Sequence, residues 1–356
     1  MPLQASGFRN SLPSHWPSHT SAGTEPETPV EARRCTVQLS TGRLYLDAAA
    51  TPATALLGHD LPQLSPSDEP TVQRMISSLA PSYTCVALAQ SYASAAGLAA
   101  RLARSVSAPS SRVLEMNAFD GEPPASPNFK DSNPDDLIIA YENETLARAG
   151  RWFASATWQR PPAFIIIGDA LALGSPFGAI LARESLAANL DPSQLADDAA
   201  APFVSTGSKT LEQSAQPHGG ISDVVVSSDS LSRVAAAIRI VEEEGLLQHG
   251  RELAEYLTAR LHAVRETCPQ IESISSAGLF FRIELAPPLT ASLIRRRMCE
   301  RGVLAATEDQ GRLVINSPLA LRIAEADVIT GALRGALLDL PMPTFAAPCS
   351  ACSSSC

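Results

Sequence analysis

Lysine is almost absent from this sequence. Of its 27 basic residues only two are lysines, Lys130 and Lys209, and the rest are arginines. Arginine stays protonated and holds carboxylates or phosphates, but it does not serve as an amine nucleophile. Chemistry that needs such a nucleophile therefore has two candidates. Aromatic residues are also scarce, 5% of the 356 positions against 45% hydrophobic, so Ala and Leu must carry most of the packing. Positive charge is in deficit, with a formal net charge of −10, which argues against the basic surface that nucleic acid requires. No apolar run approaches the ~20 residues needed to span a bilayer. The opening MPLQASGFRNSLPSHWPSH lacks the apolar region of a secretory signal. The expectation is a soluble, cytoplasmic protein with neither nucleic-acid nor membrane partners.

What is present is an alternation of short apolar runs with helical periods. Residues 1–30, rich in Ser, Pro, His and Thr, read as a disordered segment. CTVQLSTGRLYLDAA alternates around Thr41-Gly42, a hairpin signature. A helix is expected near 70–80, and VALAQSYASAAGLAARLAR runs from a strand into an Ala/Leu helix. RVLEMNAF, DLIIAY, AFIIIGD and GAILAR have strand length and turn-residue borders. Strands alternating with helices imply an α/β fold with a mainly parallel sheet covered on both faces. After a polar interruption at 191–227, Ser228 or Asp229 is a candidate cap for a long helix that stops at Gly245 and resumes. IESISSAGLFFRIEL and VLAATEDQGRLVINSP read as strands, LIRRRMCERG and AEADVITGALRGALLDL as helices. The expected division is a large domain over 42–227, a smaller α+β domain from 31–41 plus 228–340, and a flexible tail over 341–356. Cys35, Cys85, Cys268 and Cys299 are scattered as reduced thiols are.

In order and spacing, three stretches resemble the class III aminotransferases, the fold-type I group that includes ornithine and diaminobutyrate transaminases. They are GRLYLDAAATPATALLGHDLP, RAGRWFASATWQRPPAFIIIGDALALGSPFGAIL and AAAIRIVEEEGLLQHGRELAEYLTARL. The resemblance implies a pyridoxal-phosphate fold, with a site built at a homodimer interface. Carried over residue by residue, it also implies that the working groups have changed. The lysine that forms a Schiff base with the cofactor stands seven residues before the proline of the "G-x-P-x-G" turn; counting back from Pro176 gives Asp169. A carboxylate cannot form a Schiff base, and both lysines lie more than 30 residues away. The family's pyridine-binding Asp falls on Tyr141 and its Gln on Glu144. The phosphate turn "N-S-G-x-E" reads QSYAS, keeping Ser91 but placing Tyr92 where glycine lets the backbone approach a phosphate. The ring-stacking aromatic-His-Gly motif reads Phe119-Asp120-Gly121, and the substrate-clamping arginine falls on Val314. A much longer segment of the family, including sheet strands, is here reduced to residues 121–140.

The cofactor positions Ser91, Tyr92, Phe119, Asp120, Tyr141 and Glu144 are therefore expected to be vestigial, with no cofactor bound and no catalytic residue. The expected function is a catalytically silent homologue acting by binding, as scaffold or regulator of a biosynthetic partner or as carrier of its tail. The alternative is an active enzyme, using pyridoxal phosphate through Lys209 or chemistry without it at Asp169, where burial would raise the carboxyl pKa. Lys130, His59 and His218 read as ordinary loop residues, and no metal motif stands in the folded body. The tail APCSACSSSC holds Cys349, Cys352 and Cys356 among Ser350, Ser353, Ser354 and Ser355. Three readings stay open there: a simple flexible tail, a post-translationally modified peptide core awaiting a modifying enzyme, or a soft-metal ligand set short of a fourth thiol.

Overall fold

The computed structural model describes residues 29–49, 56–60, 62–120, 133–190, 226–287, 289–308 and 311–339. Residues 1–28 of the N-terminal segment expected to be disordered, both lysines, His218, the side chain of Asp120 and the Cys/Ser tail lie outside them, while residues 29 and 30 of that segment belong to a strand.

In chain order the strands are β1 (Pro29–Arg33), β2 (Thr36–Leu39), β3 (Leu44–Asp47), β4 (Tyr83–Ala89), β5 (Val113–Asn117), β6 (Leu137–Tyr141), β7 (Phe164–Gly168), β8 (Gly178–Arg183), β9 (Ile271–Ala277), β10 (Phe280–Leu285), β11 (Val303–Leu304), β12 (Ala306–Thr307) and β13 (Arg312–Asn316). The helices are α1 (Glu69–Ser78), α2 (Tyr92–Val106), α3 (Glu184–Ala187), α4 (Ser228–Glu243), α5 (Leu246–Thr267), α6 (Ala291–Glu300) and α7 (Ile323–Leu338).

The central sheet has the order β4-β8-β7-β6-β5. β5, β6 and β7 run parallel, whereas β8 is antiparallel to both β7 and β4. The reversal at β8 follows from its link to β7: residues 169–177 are too few for the crossover that a parallel partner would need. β7 is buried along its whole length, as is most of β6, which explains their unbroken LIIAY and FIIIG runs. α2 lies on one face through Ala95, Ala96, Ala99, Ala100, Leu102 and Ala103. Small side chains there let the helix approach the sheet closely, and Ala95 packs so tightly that a Cβ on Gly178 would sit 2.7 Å from it.

The opposite face shares a continuous core with the C-terminal half, joining Ile165, Ile167 and Leu171 to Leu253, Leu257, Phe281 and Ile315. That half carries an antiparallel sheet in the order β12-β13-β10-β9. A third sheet, β1-β2-β3-β11, closes through the parallel pair β3–β11 and contains the hairpin turned at Gly42, whose φ is 80°. The cap of α4 is Ser227, one residue before the expected pair, because its Oγ accepts from Ser230 N at 3.0 Å while Asp229 is engaged with Arg233 at 2.7 Å. Among the described residues no helix is long and apolar enough to cross a membrane.

Candidate functional site

Three strands deliver their last residues to one end of the central sheet, where parallel sheets place ligands. Asn117 ends β5, Tyr141 ends β6, and Asp169 follows β7 directly. The N-terminus of α2 faces them. Ser91 caps this helix by accepting from Ser94 N at 3.1 Å, and the next residue, Tyr92, leans over the strand ends.

The structure brings Asp169, Tyr92, Tyr141 and Glu144 together, and adds residues that sequence reasoning missed. Asn143 is the first. Its amide nitrogen donates to Asp169 Oδ1 at 3.0 Å, and its oxygen accepts from Ala170 N at 3.2 Å. Burial pushes the Asp169 carboxyl up from its ordinary value, and the Asn143 donor opposes that rise only in part. Tyr92 fills the space beside β7: a Cβ on Gly168 would meet its ring at 2.8 Å and Asn143 Oδ1 at 2.7 Å. The Tyr92 and Tyr141 rings stand edge to face, 6.0 Å between centroids. Tyr141 does not reach a ligand position freely, because its hydroxyl donates to Glu115 Oε2 at 2.8 Å. Burial raises both phenols well above the ordinary tyrosine range, with nearby carboxylates adding to it.

Glu144 accepts from Asn117 Nδ2 at 3.1 Å, and Asn117 Oδ1 in turn accepts from Phe119 N at 3.1 Å. Glu142 lies deeper, fully buried and raised in pKa by that burial, with Ser155 N, Ser155 Oγ and Thr145 Oγ1 donating to it at 2.7, 2.6 and 2.5 Å. Its three donors give it a structural role in fixing the loop after β6.

Phe119, the expected stacking residue, carries a guanidinium on its face: Arg282 Cζ is 3.9 Å from the ring centroid. Arg282 sits on β10 directly opposite Val314 in the strand register. A cation is thus present one strand away from the position where the resemblance puts the substrate-clamping arginine. It is held by Glu308 Oε1 at 2.7 Å. No spacing rule could have revealed this, since the pairing of β10 with β13 is a tertiary fact. Val314 itself is buried in the sheet. His59 pairs with Asp47 at 3.0 Å, and no metal-binding cluster occurs among the described residues.

Comparison with known proteins fits this layout. A family model described as aminotransferase class-III matches residues 134–337. The alanine/serine racemase of Pyrococcus horikoshii is 27% identical over 150 residues, 42% of this chain and 26% of that protein. Ornithine aminotransferase 1 of Staphylococcus aureus is 28% identical over 203 residues, 56% of this chain and 43% of that one. The chain thus spans less than half the length of these curated relatives. Among solved structures, the ornithine aminotransferase of Toxoplasma gondii, described with partial occupancy of pyridoxal phosphate at its active site, superposes with a TM-score of 0.66 at 15% identity, covering 90% of this chain and 92% of that one.

The expectation that no cofactor belongs to this protein is thereby corrected. It was drawn from single side chains, whereas the family match and the cofactor-bearing neighbour make pyridoxal phosphate the group to expect. The described residues do not by themselves fit its covalent attachment. Asp169 is a carboxylate and Arg282 is engaged, while Lys130 and Lys209 lie outside the described residues. With a matching family model over more than half of its length, the chain belongs to the class III aminotransferases.

Proposed function

We propose that this chain works with pyridoxal phosphate on an amino-bearing substrate, as its named relatives do, and that its anchoring amine is Lys209 rather than residue 169. The observation that carries the reading is the Asp169–Asn143 pair, which commits the end of β7 to a hydrogen-bonded carboxylate and leaves the amine to come from elsewhere in the chain. The segment holding Lys209 leads into α4, whose first turn is tied to the loop after Asp169. Ser230 Oγ donates to Pro176 O at 2.9 Å and lies 2.9 Å from Ser175 Oγ. Lys209 precedes Ser227 by 18 residues, and at ~3.3 Å per extended residue this does not limit its reach to that end of the cleft. The assembly that goes with this reading is a homodimer, and the compartment is the cytoplasm.

The test is borohydride reduction of the purified protein with pyridoxal phosphate, followed by peptide mass mapping. A cofactor adduct on Lys209, lost in Lys209→Ala, is expected. Absence of any adduct on that residue overturns the assignment.

A second reading is favoured by the packing of Tyr92 against Gly168. In it the chain holds its ligand non-covalently and works by binding, as scaffold or regulator of a biosynthetic partner, or as carrier of the tail with Cys349, Ser350, Cys352, Ser353, Ser354, Ser355 and Cys356. Cofactor that separates from the protein on gel filtration, with no trapped lysine, supports this second reading. Intact mass from the native host tests the tail: losses of water at serines mark a modified core, and an unaltered mass rules it out.

A further inference from the structure

Among the described residues Arg148 is the largest fully buried side chain, and its charge is unbalanced by its surroundings. It lies in the loop after β6, at 0% exposure. Its own carbonyl accepts from Leu279 N at 3.1 Å, and Leu279 O accepts from Ser317 N at 3.2 Å, so the loop is stitched to the end of the C-terminal sheet where β10 begins and β13 finishes. The guanidinium Nη1 donates to Glu144 O at 3.2 Å and Nε donates to Ser317 O at 3.3 Å. Nη2 has no hydrogen-bond partner among the described residues, and neither has Oγ of the equally buried Ser317.

Nε and Nη2 share the edge of the guanidinium that grips anions side-on. Here Nε on that edge is spent on the Ser317 carbonyl, and the second donor stands unmatched beside the same residue. No carboxylate of the described residues lies within ion-pair distance of Arg148, although Glu144 is near enough to favour its charged form, and burial lowers its pKa only to about 10. The group therefore stays cationic at neutral pH. A buried cation answered by two neutral carbonyls and flanked by a hydroxyl that can donate calls for a negative counter-charge, not a second cation.

We propose that Arg148 Nη2–H and Ser317 Oγ–H bind one small monovalent anion of the halide class, at the junction between the loop after β6 and the end of β13. The anion neutralises the guanidinium and accepts from both orphaned donors, locking the two sheets together. The site is independent of the cofactor and of Lys209.

Crystals grown in bromide and measured at its absorption edge give the direct test, with an anomalous peak within hydrogen-bond distance of Arg148 Nη2 and Ser317 Oγ expected. In solution, the melting temperature is expected to be higher in chloride or bromide than in gluconate at equal ionic strength. That difference should vanish in Ser317→Ala, a small change that keeps the fold measurable should Arg148→Met fail to fold. A water without anomalous signal at this place overturns the proposal. So does an adventitious halide only, seen in the crystal while chloride and gluconate give the same melting temperature.

Discussion

At the scale of single residues, the cleft is governed by how a few buried acids are held. Asp169 and Glu142 both have carboxyl pKa values raised by burial, so the folded protein keeps protons that the unfolded chain gives up. Their contribution to stability is fully present below the ordinary carboxylate pKa of about 4 and is lost as pH rises through the higher folded values. Asp169→Asn keeps an acceptor for Asn143 and removes the charge. Its urea midpoint should therefore fall less than that of the parent as pH rises from about 4 to 8; parallel curves would refute this. Asn143→Leu leaves a buried carboxyl and the Ala170 N–H without their partner, and should cost about 1–3 kcal/mol in chemical unfolding. Tyr141 and Glu144 were legible as replaced positions in YENE, but that Tyr141 bonds Glu115 and that Asn143 holds Asp169 was not. Those contacts depend on which side chains the strand ends turn toward one another.

At the scale of elements, most boundaries follow from local chemistry. Gly42 turns the β2–β3 hairpin, and Gly245 at φ 64° separates α4 from α5. The apolar runs of β6 and β7 announce strands buried on both faces. The antiparallel entry of β8 was hidden, because GAILAR reads the same in either direction; only the short 169–177 connection decides it. One turn ties the elements of the site together. Gly278, at φ 64°, lies against the Arg148 carbonyl, and a Cβ there would overlap it. Gly278→Ala should destabilise the fold by about 2 kcal/mol or more, since it combines left-handed backbone strain with a backbone clash. Differential scanning calorimetry would show this, and an unchanged melting temperature would contradict it.

At the scale of the whole molecule, the end of β5 and the C-terminal sheet meet through Arg282, stacked on Phe119 and paired with Glu308, with Phe280 edge-on to Phe119 at 4.9 Å. Arg282→Ala removes the stacked cation and leaves Glu308 without this partner. It should lower stability by about 1–2 kcal/mol, whereas Arg282→Lys should recover only part, because an ammonium lacks the planar face that stacks. Sequence alone determined the family resemblance, the α/β alternation, the helix and hairpin punctuation and the carboxylate at residue 169, since these rest on residue identity and near-neighbour spacing. The tertiary structure alone decided that Arg282 faces Phe119 across from Val314, that Asn143 clasps Asp169, and that Arg148 and Ser317 are buried with unmatched donors. Those facts depend on strand register and on the packing of segments from 26 to 169 residues apart in the chain, which no local pattern encodes.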